Sequence, residues 1–319
     1  MAIYNDGPTR GPKVVALGGG HGLYATLSAL RILTPRITAV VTVADDGGSS
    51  GRIREEMDVL PPGDLRMALA ALCDDTEWGQ TWRDVLQYRF ESEGPLGGHA
   101  VGNLLIVATW HLLHDQLDGL DLVGRLLGIH GRVVPMSTAP LQIEADVRDD
   151  SGLTTCIRGQ AAVAKAHACV ERVGLLPSNP PAHPAALEAI EEADWIIFGP
   201  GSWFTSIIPH LLVPEIYSAL CRTKAKKILV MNLAPDAETP HLLPSELIAS
   251  FKKYAPDFTI DRVIVDPTSA TSDTALSSQA YGLGAEPFYY HVAKNGNAEV
   301  HDPLFLATAF REVIDSSPQ

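Results

Sequence analysis

Val14-Val15-Ala16-Leu17-Gly18-Gly19-Gly20-His21-Gly22-Leu23-Tyr24-Ala25 is the stretch on which the fold turns. Val14 to Leu17 reads as a buried strand, and the glycines after it allow a tight turn. Leu23, Leu27 and Leu30 then recur at helical spacing, Pro35 marks a boundary, and Ile37 to Val43 is a second β-rich run. Strand, short glycine turn, helix and strand again is the opening of a parallel α/β sheet.

The pattern resumes late in the chain, where Trp195 to Phe198, Ile228 to Met231 and Val263 to Val265 are short apolar runs separated by helical-length segments. The middle differs. Trp78 to Gly128 reads as helical, broken at Pro95-Leu96-Gly97-Gly98. Beyond it, Leu141, Ile143, Ala145 and Val147 alternate with Gln142, Glu144, Asp146 and Arg148. Asp149-Asp150-Ser151-Gly152 follows, then Leu153, Thr155 and Ile157. Period-two patterning on both sides of a turn predicts an antiparallel hairpin. The chain is therefore expected to hold a flexible N-terminus over 1–12 and a single α/β domain over 13–319, with an insertion around 78–160. The Pro-rich Pro177 to Pro184 reads as a surface connector.

Composition narrows the function. The chain has 319 residues, 46% hydrophobic and 19% charged, a globular balance. Its 24 Lys and Arg against 38 Asp and Glu give a net charge of −14, which disfavours non-specific nucleic-acid binding. No apolar stretch approaches the ~20 residues of a membrane span. The segment Met1 to Lys13 lacks the apolar core of a secretory signal. Cys73, Cys156, Cys169 and Cys221 form no CxxC pair, as expected of a reduced cytoplasmic protein without a Cys-based zinc site. No GxxxxGK[ST] loop, G-x-S-x-G elbow or HExxH helix occurs.

Several glycine-rich turns suit anions. Gly19, Gly20, His21 and Gly22 open a helix, where backbone N–H groups and the macrodipole favour a phosphate; the alternative is a plain packing turn. Gly20-His21-Gly22-Leu23-Tyr24-Ala25 also satisfies G-x-G-x-x-A, and Asp45, at the end of the next strand, would hold a ribose in a nicotinamide-dinucleotide fold. Asp45-Asp46-Gly47-Gly48-Ser49-Ser50-Gly51-Arg52 adds two acids and a second anion-suited loop. Its N–H groups, hydroxyls and the guanidinium of Arg52 or Arg54 suit a diphosphate, and its acids suit Mg²⁺ or sugar hydroxyls. Asp64 is read either as an N-cap for the helix through Leu65, Leu69 and Leu72 or as a site residue. Arg66, in a first turn where cations are disfavoured, calls for an anionic partner. His99 and Asn103 are four apart and share one helix face, so both are candidates to point into one ligand cleft; the alternative for His99 is a cap or packing role. Gly199-Pro200-Gly201-Ser202 repeats the strand–glycine–helix logic, and Asn232 ends the next strand on the same sheet edge.

Taken together, Gly18 to Leu23, Val41 to Arg52, Pro61-Pro62-Gly63-Asp64-Leu65-Arg66, His99 to Asn103 and Gly199 to Ser202 resemble the YvcK-type gluconeogenesis factors. That group lies within the superfamily of the phospholactate transferase CofD. The resemblance implies a cytoplasmic protein with a modified Rossmann-like core that binds a UDP-sugar such as UDP-N-acetylglucosamine. It further implies a role in cell shape and peptidoglycan precursor supply during gluconeogenic growth. A homodimer and a regulatory contact with glucosamine-phosphate synthase belong to the same expectation. Tyr281 matches the family's ligand-contacting tyrosine. Phe204, Met67, the Asn232 to Thr239 loop and Val300 depart from the family's pattern. Two other readings stand beside this one: a Mg²⁺-dependent phosphoryl- or nucleotidyl-group transferase using Asp45 and Asp46, and an NAD-binding protein using Gly20, Gly22 and Asp45.

Overall fold

The computed structural model describes residues 11–149, 151–166 and 169–316. Most of the N-terminal segment expected to be flexible, and Asp150 of the hairpin turn, lie outside the described residues. In chain order the first half runs β1 (Val14–Gly18), α1 (Gly20–Leu30), β2 (Ile37–Val41), α2 (Gly48–Met57) and α3 (Gly63–Leu72). It continues with α4 (Glu77–Gln87), α5 (Val101–Leu113), α6 (Gln116–Leu127) and β3 (Arg132–Pro135). The middle comprises β4 (Gln142–Arg148), β5 (Thr154–Arg158), α7 (Gln160–Val163) and β6 (Cys169–Leu176). Next come α8 (Pro184–Glu192), β7 (Trp195–Phe198), a π-helical turn (Trp203–Ile207) that leads into α9 (Ile208–Leu211), α10 (Pro214–Arg222) and β8 (Lys226–Val230). The chain closes with α11 (Pro244–Tyr254), β9 (Arg262–Val265), α12 (Leu276–Gly282), β10 (Glu286–Tyr289), β11 (Ala293–Lys294), β12 (Asn297–His301) and α13 (Pro303–Ser316).

The main sheet has the order β10-β9-β8-β7-β1-β2-β3, and every neighbouring pair is parallel. Val14 of β1 lies opposite Ile37 on one side and Trp195 on the other. From β1 the chain works outward to β3, then returns beside β1 with β7 and proceeds to β10. Strand order thus reverses between β1 and β7, the switch point at which open α/β sheets leave a crevice. Helices cover both faces, so Val14 to Leu17, Ala39 to Val41 and Trp195 to Phe198 are all buried, which explains their unbroken apolar runs.

The hairpin read from the sequence is present. β4 and β5 are antiparallel, with Ala145 opposite Ile157, and residues along β4 alternate between the interior and the surface. A third strand, β6, completes a small sheet of order β5-β4-β6. The segment 78–160 is not one insertion, however. Arg132–Pro135 returns to the main sheet beside β2, dividing it into a helical part and part of the small sheet. Four residues ending in proline are too short a run to announce a strand by periodicity.

The two βα turns beside the switch point brace each other. A Cβ added at Gly22 would overlap the Pro200 carbonyl, and the Thr26 hydroxyl donates to the Gly199 carbonyl at 2.6 Å. Because the obstacle is backbone, Gly22→Ala has no inexpensive relaxation. It is expected to lower unfolding free energy by about 1–3 kcal/mol, read as a fall in the urea midpoint at unchanged slope.

Candidate functional site

The carboxylate of Asp64 sits where β1 and β2 end and α1 begins. It accepts the Thr42 hydroxyl at 2.9 Å and the backbone N–H of Gly20. A Cβ at Gly19 would come within 2.5 Å of Asp64 Oδ2 and of Thr42 Oγ1, so the close approach of this carboxylate requires the glycine. The N-terminus of α1 thereby already faces an anion, one supplied by the chain itself. Asp64 is not an N-cap, since that position of α3 belongs to Pro62 and Asp64 lies inside the first turn. Burial, followed by repulsion from Asp45, pushes the Asp64 carboxyl up to about 6. The Asp45 carboxyl is likewise raised, first by burial, against hydrogen bonds from Gly47 N–H and the Ser50 hydroxyl. A Cβ at Gly63 would press on Ser50 and Asp45, which shows how tightly α2 and α3 meet at this corner.

Asp46 diverges from Asp45. Its Oδ1 accepts the N–H of Ala161 at 2.9 Å, and Gly159, at φ +101°, packs against its Oδ2. Asp46 still raises the Asp45 carboxyl, and Asp45 in turn raises that of Asp64, which lies beyond α2 in the sequence. Among the described residues no group of three or more His, Cys, Asp or Glu converges as a metal site.

Beside this corner lies a cleft of about 920 Å³, bordered by Asp46, Gly48, Ser49, Arg52, Arg54 and Arg89 among others. Gly48, at φ +49°, has nothing near its missing Cβ, so the α2 N-terminus is open to the cleft. Arg52 belongs to the cleft wall, yet its guanidinium donates to the carbonyls of Gly97 at 2.7 Å and Pro95 at 3.3 Å, holding the loop before α5. Arg54 is similarly bonded to the Leu141 carbonyl at 2.6 Å. Behind Ser49, the buried side chains of His99, Asn103 and Arg66 form one cluster. Arg66 donates through Nε to Asn103 Oδ1 at 2.9 Å, while its Nη1 finds no acceptor among the described residues. Burial, then the neighbouring Arg89, lowers its pKa to about 10, against the pull of Asp64 and Asp45.

The other expected site residues fall differently. His21 is exposed on α1. Gly199 and Gly201 take positive φ angles of +71° and +145°, and the Ser202 carbonyl starts the π-helical turn by accepting from Ser206 and Ile207. Asn232 does reach this sheet edge, but its amide is spent on Gly201, accepting the N–H at 2.9 Å and donating to the carbonyl at 3.0 Å. The first and third glycine turns touch at Gly22 and Pro200, leaving no ligand's width between them at that point. Tyr281 lies elsewhere. It is exposed near the end of α12, where the Leu283 carbonyl accepts the N–H of Ile260 ahead of β9, at the opposite edge of the sheet.

Sequence reading missed Thr42, Arg89 and Glu238. Glu238 is buried and accepts the N–H groups of Phe204 at 3.0 Å and Thr205 at 3.2 Å, together with the Thr205 hydroxyl. It serves the third glycine turn's helix as Asp64 serves the first. Thr42 stands next to the paired acids and was visible as a polar residue leaving a strand. Nothing local marks Glu238, whose partners lie more than thirty positions away.

A parallel sheet with this strand order, and a polar cleft at the carboxyl ends of its first strands, defines a Rossmann-like α/β protein. A family model described as 2-phospho-L-lactate transferase CofD matches residues 14–301, and the chain belongs to that family. The protein named "Putative gluconeogenesis factor" in Mycobacterium tuberculosis is 50% identical over 96% of this chain and 92% of its own length. The gluconeogenesis factor of Listeria innocua is 37% identical over 82% of this chain and 80% of its own. A Bacillus halodurans protein of known crystal structure superimposes with a TM-score of 0.83 at 30% identity, covering 96% of this chain and all of that one. The resemblance to gluconeogenesis factors read from the motifs thus holds. No single helix among the described residues is long and apolar enough to cross a membrane.

Burial pushes the Glu238 carboxyl up to about 7, despite the hydrogen bonds that favour its charged form. A carboxyl whose folded pKa exceeds its unfolded one favours folding at low pH, and that contribution is lost as pH rises through about 7. Glu238→Gln keeps an acceptor for Phe204 and Thr205 but removes the titration. The urea midpoint of the variant is expected to gain on the parent's between about pH 4.5 and pH 7 and to hold a constant difference above that.

Proposed function

We propose that this chain is a cytoplasmic regulatory protein that binds a UDP-sugar, UDP-N-acetylglucosamine in the first instance, with its diphosphate in the cleft bordered by Ser49 and Arg89, in front of the buried Arg66. The observation that carries this reading is Arg66: a buried guanidinium, anchored at one edge by Asn103, with Nη1 unpartnered and a second arginine nearby. An acidic chain has little reason to bury an unneutralised cation unless an anion completes it. A diphosphate supplies two negative charges and suits the planar donor fork of arginine. The open N-terminus of α2 adds N–H donors on the same side. The kinship with gluconeogenesis factors supports a role in peptidoglycan precursor supply and cell shape when carbon enters through gluconeogenesis.

A second reading rests on Asp45 and Asp64. Asp45, raised by burial and by Asp46, raises the buried Asp64 carboxyl in turn; acids crowded in this way are relieved by a cation, and Mg²⁺ is commonly held by one or two carboxylates plus ligand phosphates and waters. With Mg²⁺ held there, the family's transferase chemistry becomes open to this chain, and turnover of a phosphoester lost in Asp45→Asn would establish it. The dinucleotide reading has less support, because Pro200 occupies the approach to Gly22 and Asp45 is engaged by Gly47 and Ser50.

Titration calorimetry with UDP-N-acetylglucosamine and Mg²⁺ tests the first reading. Saturable heat is expected, and Arg66→Met should weaken binding by about tenfold or more through loss of a charge-assisted bond. Arg66→Lys, which keeps the charge, guards against a folding defect. No heat at millimolar ligand would refute the assignment.

A further inference from the structure

Arg66 belongs to a hydrogen-bond chain whose direction can be worked out atom by atom. The Nε–H of Arg66 can only donate, so the oxygen of the Asn103 amide faces it at 2.9 Å. The amide nitrogen then points the other way and donates to Ser49 Oγ at 3.0 Å. The N–H of Ala100 approaches the same oxygen at 3.4 Å. With two donors on that oxygen, its own proton goes to the remaining neighbour, His99 Nδ1 at 3.0 Å. The Nδ1 nitrogen must therefore be bare, and the imidazole neutral with its proton on Nε2. A protonated Nδ1 would place a third donor on a hydroxyl oxygen that has two lone pairs. Arg52 and Glu56 of α2, and Arg89 ahead of α5, are the charged groups around His99.

The chain joins three helices, α2 through Ser49, α3 through Arg66 and α5 through Asn103, and it ends on His99, a candidate ligand contact that the fold buries against Ser49. Its consequence lies at the arginine. Asp45 and Asp64 act on the guanidinium electrostatically, yet among the described residues Arg66 makes no ion pair with either. Asn103 holds the guanidinium by its Nε edge, and Nη1 is left over.

We propose that His99, acting through Ser49 and Asn103, is a positioning residue that fixes the plane of the Arg66 guanidinium and keeps its charge unpaired behind the cleft wall for an anionic diphosphate. This rests on the ligand reading given above. A neutral imidazole is an acceptor that orients the Ser49 hydroxyl. The oriented hydroxyl receives the Asn103 amide, and the amide locks the arginine. Without the chain, the guanidinium is free to turn onto Asp64 or Asp45 and neutralise itself inside the protein.

The full-length protein, labelled with ¹⁵N-histidine, tests the chain independently of ligand. At pH 7.5 the His99 imidazole should show an unprotonated Nδ1 and a protonated Nε2, and Ser49→Ala should move the Nδ1 resonance. Calorimetry then uses UDP-N-acetylglucosamine and, as a diphosphate-only probe, inorganic pyrophosphate. Asn103→Leu and His99→Phe should each weaken binding by about tenfold. The double variant should be little worse than either single one, since both break the same series of bonds. His99→Gln, whose amide oxygen can accept from Ser49, should restore most of the affinity. An Nδ1-protonated tautomer, additive losses in the double variant, or full affinity in His99→Phe would overturn the positioning role while leaving diphosphate binding intact. A parent protein that binds neither probe would overturn the ligand reading and, with it, the purpose assigned to this chain.

Discussion

A carboxylate buried at the meeting point of two strands and a helix is the constraint from which the rest of this structure follows. Asp64 satisfies the Gly20 N–H and the Thr42 hydroxyl at once, and so ties α3 to the ends of β1 and β2. Glycine at position 19 is needed to admit it. With Asp64 in place, Arg66 is carried to the inner side of the same helical turn, and α2 is drawn in until Ser50 and Asp45 press on Gly63. The geometry of the cleft is inherited from that contact.

Electrostatics at the corner are balanced between two kinds of frustration. Asp45 lies close enough to Asp64 to raise its carboxyl, while Arg89 lies close enough to Arg66 to lower its pKa. Neither pair is resolved by forming ion bridges across the corner. Instead the guanidinium is held by a neutral amide. An arrangement that keeps opposite charges near but unpaired stores affinity for something charged, since desolvation has already been met in folding and the partner need only arrive.

Carboxylates from inside the chain recur at the glycine turns. Asp64 faces α1, Glu238 faces the helix after Gly201, and Asp46 binds the N–H of Ala161 in the first turn of α7. Helix N-termini attract anions whether these come from a ligand or from the protein, so a glycine turn opening a helix is a weak guide to where a phosphate sits. Of the turns at this sheet edge, the one opening α2 is the one that faces the cleft with its glycine unobstructed.

Sequence alone determined the layered α/β class, the glycine turns at strand ends, the antiparallel hairpin and the family. Each of these is written in short-range periodicity or in contiguous motifs, such as Asp45 to Arg52. It also placed His99 and Asn103 on one helix face, because a spacing of four residues is local geometry. Tertiary structure decided which polar group meets which. Asp46 turns to the Ala161 N–H while Asp45 stays at the corner and acts on Asp64, because a strand end directs successive side chains apart. Arg52 is taken up by carbonyls of Pro95 and Gly97, Asn232 by Gly201, and Tyr281 is carried to the far edge by the direction of α12. Hydrogen-bond partners tens of residues apart depend on the packing of whole elements, and no local pattern encodes them.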